Sequence, residues 1–310
     1  MDLTDAQRAA LEHVRERSPG RTPLPVDAPI TVNFHPDRAV AGRTVIEGLL
    51  ADGCFRSQFE TGISNGGLTA YPGGDRDRWE ERMFGGAYQR PGVRAADRPK
   101  YGALNLRHHD DGAAPRFGSA HLRLRRHVRD RTTFTFGDSN NHPTAAGTAD
   151  AFDAVLAALR AHHGEGALER RATPGPGRAL DDYVEAQIHG PLSLPDDVEA
   201  IVLDSSFTSS GCGTAGVAAR LAERYGVRVE WRAGFRLAPG AVPAEFRGPE
   251  VPMLALLLCE RRGVDAVDPA LIGAAARDVV ADPGAWAEWG GGAEALQLLK
   301  YLWHCLVRFG

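Results

Sequence analysis

The order of apolar and polar residues along the chain predicts a mixture of helices and strands without regular βαβ alternation. Residues 4–17 have the spacing of an amphipathic helix. A proline-rich connector then leads to ITVNF at 30–34, whose β-branched residues indicate a strand. In TVIEGLLADG at 44–53 the apolar residues share one helical face, and Gly53 is placed to end the helix.

Residues 57–100 are rich in glycine and proline and show little periodicity, while their aromatic residues favour an ordered, functional loop. Strand and helix patterns resume after this loop. The strands are predicted at 101–107, 118–125, 132–136, 183–190, 199–204 and 227–235, and the helices at 151–163, 267–281 and 294–307.

These elements predict an α+β fold with mainly antiparallel sheets, flanking helices and a helical C-terminal third. We expect a single domain over residues 1–310, with an N-terminal helix and connector at 1–29, an α+β core at 30–235 and a helical part at 236–310. The Gly/Pro-rich hinge at 164–177 is a candidate boundary, but strands on both sides of it favour one domain.

Charge and cysteine content exclude several classes of partner. The 36 basic and 40 acidic residues leave a net charge of -4, which argues against a nucleic-acid or anionic-membrane partner. No uncharged apolar stretch is long enough to span a membrane, and the N-terminus lacks the apolar core of a signal peptide. Four scattered cysteines predict reduced thiols and a cytoplasmic location. Only Lys100 and Lys300 are lysines, and genome composition explains this preference for arginine. Most of the arginines look like solvated charge at strand edges, among them Arg123, Arg125, Arg126, Arg129 and Arg131.

No metal is expected. The cysteines lack zinc spacing, and the adjacent pairs His108-His109 and His162-His163 point to opposite faces if they lie on strands. Solvated loops account for both pairs.

Two glycine patterns are present, and each has a structural interpretation beside the functional one. G-x-S-x-G at 62–66 lacks the strand and helix that a hydrolase serine needs, so a glycine-rich loop is favoured. G-x-G-x-x-G at Gly211, Gly213 and Gly216 precedes a helix, and Glu230 follows where a ribose-binding carboxylate belongs. This is the basis for an alternative function, a dinucleotide-binding oxidoreductase, although SSFTSS separates the pattern from its strand.

The segment LDDYVEAQIHGPLSL places three polar side chains on one face of a strand. Glu185, Gln187 and His189 would follow one another at about 7 Å along it, while the alternate apolar residues face the core. A functional surface and a merely solvated sheet face both explain this pattern.

FHPDR at 34–38 presents similar alternatives at a strand end. Arg38 beside His35 is suited to grip a diphosphate, but a turn with an exposed ion pair would have the same sequence.

Taken together, several segments resemble a bacterial domain-of-unknown-function family. They are FHPDR, SQFETGISNGG, WEERMFGGAY, RPKYGALNL, PRFGS, TFTFGDS, LDDYVEAQIHGP and FRGP, in this order over most of the chain. More loosely, ITVNFHPDR followed by TVIEGLLADG is similar to the start of ADP-ribosyltransferase-like folds. Those folds carry an E/Q-x-E motif late in the sheet, which Glu185 and Gln187 match in reversed order.

The second resemblance implies an enzyme that cleaves the nicotinamide–ribose bond of NAD, its nucleotide substrate. Glu185, with Gln187, would stabilise an oxocarbenium-like transition state. His35 is a further candidate catalytic residue, and with Arg38 it would hold the ribose or diphosphate. Tyr101 or Tyr88 would stack on nicotinamide. Binding roles fall also to Ser64, Ser139 and His189, whereas the acceptor is not specified and a non-catalytic ligand-binding protein remains a further alternative.

Overall fold

The computed structural model describes residues 2–40, 42–62, 69–169, 171–173, 175–209 and 213–310. It confirms the α+β class, with a mostly antiparallel sheet, flanking helices and a helical C-terminal part. The strands are β1 (Ile30–Phe34), β2 (Ala39–Val40), β3 (Arg43–Thr44), β4 (Lys100–Leu104), β5 (Ala120–Leu124), β6 (Thr132–Phe136), β7 (Ala146–Thr148), β8 (Val184–Ile188), β9 (Val198–Asp204) and β10 (Arg228–Arg232). The helices are α1 (Asp5–Arg17), α2 (Val45–Asp52), α3 (Gln58–Thr61), α4 (Asp75–Met83), α5 (Asp153–His163), α6 (Leu194–Asp197), α7 (Thr214–Tyr225), α8 (Ala244–Arg247), α9 (Glu250–Arg262), α10 (Pro269–Ala281) and α11 (Gly292–Phe309).

The main sheet has the strand order β10-β9-β5-β1-β4-β8-β6-β7. The pair β9–β10 is parallel and is joined through α7, as a crossover connection requires. Every other neighbouring pair in this sheet is antiparallel.

Helix starts follow from local side-chain chemistry. α1 and α2 each begin with a capping box. In α1 the side chain of Thr4 accepts from the backbone N–H of Gln7, and the side chain of Gln7 accepts from the backbone N–H of Thr4. Thr44 and Glu47 form the same pair of bonds in α2. α2 ends at Gly53, whose φ of 67° is the left-handed conformation that glycine adopts without strain. The helices predicted near 4–17 and 44–53 are therefore confirmed.

The prediction of a long loop at 57–100 is wrong in one respect, because this range contains the helices α3 and α4. The sequence of α4, DRDRWEERM, is highly charged and has no apolar stripe. Its buried side chains include Asp77 and Glu80, which are stabilised by ion pairs with Arg98 and not by hydrophobic contact. Periodicity detects apolar faces, so it misses a helix of this kind.

The two faces of the sheet differ in chemistry. Val184, Ala186 and Ile188 of β8 point into the main apolar core, which also contains residues of α2, α5 and α7. The opposite face is polar and is nevertheless buried: Glu185 is 6% exposed and Gln187 is 0% exposed. The interpretation of this face as solvated is therefore wrong.

The C-terminal helices form a second apolar cluster and contact the sheet at the end of β1. The indole Nε1 of Trp303 donates to the carbonyl oxygens of Pro115 and Arg116, and its ring meets His35 edge-on at 5.0 Å. Arg277 of α10 pairs with the buried Asp37 at 2.8 Å, so FHPDR is not an exposed turn. Among the described residues, no helix combines the length and the apolar character needed to span a bilayer.

The sheet opens between β1 and β4. These strands pair only at Ile30–Leu104 and Thr31–Ala103, although β1 continues its pairing with β5 as far as Phe34. A Cβ at Gly102, the next residue of β4, would lie 2.6 Å from the carbonyl oxygen of Thr31. The two strands thus touch at Gly102 and separate beyond it.

Gly102→Ala is expected to lower the free energy of unfolding by about 1–3 kcal/mol, because the added methyl meets backbone and forces the strands apart. Chemical denaturation measures the change. The control is Gly216→Ala in α7, where no described atom lies within 4 Å of the new Cβ, and alanine should add up to about 1 kcal/mol. Equal stability of the two variants would contradict a close contact at Gly102.

Candidate functional site: a cleft through the split sheet

A cleft of about 510 Å³ occupies the gap between β1 and β4. This volume lies within the range of small-molecule sites. Its walls come from β1, β4, β8, α2 and α4, so it reaches both faces of the sheet. The ionisable and aromatic side chains in its lining include His35, Arg38, Arg76, Trp79, Lys100, Tyr101, Arg116, Asp138, Glu185 and Lys300.

One end of the cleft, which we call the carboxylate end, is formed by Glu185, Tyr101 and Arg76. Glu185 Oε1 accepts from Gln187 Nε2 at 2.8 Å, and Oε2 accepts from the backbone N–H of Ser139 at 3.4 Å. Burial raises the pKa of Glu185 to about 7, and the negative charge of Asp138 adds to the increase. This carboxyl group therefore exchanges its proton near neutral pH.

Gln187 and His189 do not line the cleft but lie behind Glu185. Gln187 Nε2 also donates to Thr135 Oγ1 at 3.0 Å, and its Oε1 accepts from Thr133 at 2.8 Å. His189 Nε2 lies 3.1 Å from the same Thr133 hydroxyl. Burial lowers the pKa of His189 to about 3, so its ring is neutral. Gln187 thus holds Glu185 by a direct hydrogen bond, whereas His189 is connected to Gln187 only through Thr133.

Tyr101 is shared between the cleft and α4. Its hydroxyl donates to Glu80 Oε1 at 2.7 Å, while Glu80 Oε2 accepts from Arg98 at 2.9 Å. The guanidinium carbon of Arg76 lies 4.5 Å from the ring centroids of both Tyr101 and Trp79. Tyr88, by contrast, is buried outside the cleft, where it stacks on His189.

The other end, which we call the basic end, is formed by His35, Arg38, Arg116 and Lys300. Burial lowers the pKa of His35 to about 3, and the charge of Arg38 adds to this, so the imidazole is neutral. The pKa of Lys300 is lowered by burial and by neighbouring cations, among them Arg116 and Arg38. Arg116 also pairs with Asp181, which offsets part of the charge of this end. The concentration of like charge that is left in the cleft favours an anionic ligand.

The two ends are well separated along the cleft. Glu185 lies opposite Ala103 of β4, and Ala103 lies opposite Thr31 of β1. His35 is four residues beyond Thr31, which places its Cα roughly 16 Å from that of Glu185 at standard sheet spacings. His35 therefore belongs to ligand binding at the basic end and does not touch a group held by Glu185.

Both lysines of the chain line this cleft. Lys100 is 3% exposed, and its Nζ donates to the carbonyl oxygens of Ala96 and Gly190 at 2.9 and 3.0 Å. Burial lowers its pKa to about 8. No sequence motif points to Lys100, Lys300 or Arg76; the lysines stand out in the sequence only as exceptions among arginines.

The remaining predicted binding residues divide into two groups. Arg38 and Tyr101 line the cleft, and Ser139 contributes its backbone N–H to Glu185. Ser64 lies outside the described residues, as does most of the G-x-S-x-G segment.

The described part of the second glycine pattern, residues 213–216, does not line the cleft. Gly211 is outside the described residues, and Gly213 precedes the first residue of α7. Both carboxylate oxygens of Glu230 accept from Arg123, at 2.6 and 3.0 Å, so this carboxylate is already engaged. Gly216 has open space around it, whereas the third glycine of a dinucleotide fingerprint permits close helix–strand packing.

One group of side chains has ligand atoms close enough to hold a metal ion. These atoms, from His162, His163 and Asp182, lie within 4.8 Å of one another. His163 Nε2 already contacts Asp182 at 2.7 Å, and Arg107 pairs with the same carboxylate at 3.2 Å. Because a guanidinium beside the ligands repels a cation, we assign no metal to them.

Comparison with known proteins places these observations in a family. A family profile described as "Protein of unknown function (DUF3626)" matches residues 29–165 and 159–309. The chain is also 30% identical over 193 residues to the "Gene 2 protein" of Mycobacterium phage D29, an alignment covering 56% of this chain and 67% of the phage protein. The matched regions include β1, β4 and β8, which form the cleft.

Asp138→Asn is expected to lower the pKa of Glu185 from about 7 towards the ordinary value of 4.5, because it removes a neighbouring negative charge. Side-chain NMR of ¹³C-labelled glutamate measures the pKa, and Glu185→Gln identifies the resonance. Asparagine can still accept from Tyr183, which now donates to Asp138 at 3.1 Å. An unchanged Glu185 titration in Asp138→Asn would show that the two groups do not interact.

Proposed function

The chain belongs to the DUF3626 family, whose description names no reaction, and we propose from the cleft itself that it cleaves the nicotinamide–ribose bond of NAD. The protein would then be an ADP-ribosyltransferase-like or NAD-glycohydrolase-like enzyme. The observation that carries this proposal is one cleft with a buried carboxylate at one end and a cluster of cations at the other.

The chemistry of this bond matches the carboxylate end. When the bond between ribose C1′ and nicotinamide breaks, its electron pair neutralises the pyridinium nitrogen and leaves an oxocarbenium-like ribose. The Glu185 carboxylate, held by Gln187, stabilises this positive charge in a site that excludes much of the water. Water or an acceptor then forms a bond to C1′ and passes its proton to solvent.

The substrate would lie along the cleft. Arg38, Arg116 and Lys300 would hold the diphosphate, with His35 near the adjoining ribose. The ring of Tyr101 would contact nicotinamide, an interaction contributing about 0.5–1.5 kcal/mol beyond area burial. Ser64, which lies outside the described residues, keeps its proposed role in orienting the ribose.

The pKa of Glu185 decides the working state of the site. Only the ionised carboxylate can stabilise an oxocarbenium ion, and a pKa of about 7 makes its ionisation depend on pH near neutrality. Binding of the cationic nicotinamide ring favours the ionised form further, since an opposite charge lowers the pKa of a carboxyl group.

The alternative functions have less support. An oxidoreductase would need Glu230 for ribose, and Arg123 holds that carboxylate. A non-catalytic ligand-binding protein would have no need of a buried carboxyl group with a raised pKa at the end of its cleft. The net charge of -4 favours a small nucleotide over a nucleic acid as the ligand, and a cytoplasmic setting remains a prediction from the cysteines.

Glu185→Gln is expected to lower the rate of nicotinamide release from NAD by about 10²–10³-fold, because the amide carries no charge. Chromatographic assay of nicotinamide measures the rate, and circular dichroism checks the fold. Glu81→Gln, an exposed change on α4, serves as the control and should keep the wild-type rate. In the wild type the rate should rise as pH increases through about 7, and in Asp138→Asn this rise should occur at lower pH. Intact NAD after prolonged incubation with the wild-type protein would refute the proposal.

Lys300→Met is expected to raise the KM for NAD about tenfold with little change in kcat, because Lys300 would contact the diphosphate and not the reacting bond. Steady-state kinetics separates the two constants. Arg262→Met, which removes an exposed cation from α9, is the control for lost surface charge. A fall in kcat at unchanged KM would place the diphosphate elsewhere.

A further inference from the structure

Arg76 carries a buried positive charge that has no carboxylate partner in the described part of the chain. The residue is 8% exposed, and no described carboxylate oxygen lies within 4.0 Å of its guanidinium. Its Nε is buried and makes no hydrogen bond with the described residues. The charge of Arg76 acts on Glu80 and Glu185 without a direct ion pair to either. A buried guanidinium with N–H groups left unpaired is unfavourable, so this arrangement points to a ligand that accepts from them.

The carboxylates around Arg76 are already engaged by other donors. Glu80 accepts from Arg98 and Tyr101, and Asp77 accepts from Arg98 and Gln89. Asp75 accepts from Arg78. Glu185 accepts from Gln187 and from the backbone N–H of Ser139. These donors hold the carboxylates in place, and none of the carboxylates contacts Arg76 within 4.0 Å in the described residues. The unpaired N–H groups of Arg76 are therefore available to the cleft, which Arg76 lines.

The side chain of Arg76 is also oriented in advance. Its guanidinium lies 4.5 Å from the ring centroids of Trp79 and Tyr101, and these stacking contacts fix its plane. A fixed guanidinium presents two parallel N–H groups that match the two oxygens of a carboxylate or phosphate. Arg76 and Glu185 line the same cleft, so a ligand bound to Arg76 would share the cleft with the group that Glu185 holds.

We propose that Arg76 binds an oxyanion, a phosphate or carboxylate group, on the acceptor substrate. The assignment of this oxyanion to the acceptor rests on the proposed function, in which the only diphosphate of NAD occupies the basic end. Arg76 stands at the carboxylate end, so its ligand belongs to a second molecule. The acceptor is then an anionic compound, whose charged group is held while its nucleophile reaches C1′.

The first test measures binding of simple oxyanions to the full chain. Inorganic phosphate and acetate are titrated separately by calorimetry at pH 8 and constant ionic strength. The wild-type protein should bind phosphate saturably if the acceptor group is a phosphate, and acetate if it is a carboxylate. Arg76→Met should weaken binding at the carboxylate end at least about tenfold, since it removes a charged hydrogen-bond donor and keeps the apolar stem. Anion bound at the basic end is a separate site, which saturating ADP-ribose blocks and this substitution leaves unchanged.

Arg78→Met is the matched control on the same helix. Arg78 is exposed and pairs with Asp75, so its loss should leave the affinity within about twofold of the wild type. Equal weakening by Arg78→Met and Arg76→Met would overturn the proposal in favour of a general charge effect. Failure of both anions to saturate the wild-type protein would overturn it as well.

A second variant keeps the test decisive if Arg76→Met does not fold. Arg76→Lys retains the charge but lacks the planar pair of donors, and it should also bind the anion more weakly. Wild-type affinity in a folded Arg76→Lys variant would rule out a paired guanidinium contact.

The last measurement separates this inference from the proposed function. Phosphate or acetate binding is repeated with saturating ADP-ribose, and the affinity should persist because the two ligands occupy different parts of the cleft. Displacement of the anion by ADP-ribose would assign Arg76 to the dinucleotide and overturn the acceptor assignment. If the wild type binds the anion through Arg76 but leaves NAD intact, the proposed function and the acceptor assignment fail, whereas the oxyanion site stands.

Discussion

The burial of a polar sheet face is the constraint on which the rest of this structure depends. Polar groups removed from water must find partners within the protein, and here they do so along two neighbouring strands. Thr133 and Thr135 of β6 hold Gln187 of β8, and Gln187 in turn holds Glu185 at the cleft. A carboxyl group fixed in this way loses hydration, which raises its pKa to about 7 and makes it usable for chemistry at neutral pH.

The cations of the chain divide by what they contact. Arg129 and Arg131 are not solvated strand-edge charge, as their sequence suggested. Arg129 is 8% exposed and donates to Asp27, and Arg131 pairs with Asp197 at 2.9 Å, so both stabilise the fold. Arg76 and Lys300 instead face the cleft, and the chain supplies neither with an ion pair among its described residues. Position relative to the split in the sheet, more than residue type, separates structural cations from candidate binding cations.

Local patterns were sufficient for most of the secondary structure. Capping residues and apolar spacing predicted α1 and α2, and alternation predicted β8 with Glu185 and Gln187 on one face. These predictions succeed because caps and periodicity act within a few residues. They fail for α4, since its buried charged residues are satisfied by Arg98 from outside the helix. An interaction between residues 18 to 21 positions apart leaves no periodic signal in the sequence.

Local patterns in the sequence predict which side chains share a strand face, and they made His35, Arg38, Tyr101 and Glu185 candidates for one site. The packing of distant elements buries the polar face, separates β1 from β4 at Gly102, and brings Arg76 and both lysines to the resulting cleft. Alternation fixes the side on which a residue points, because the strand repeat is two residues. Burial, pKa and counter-charge depend instead on which distant elements cover that side, and a single strand carries no record of them.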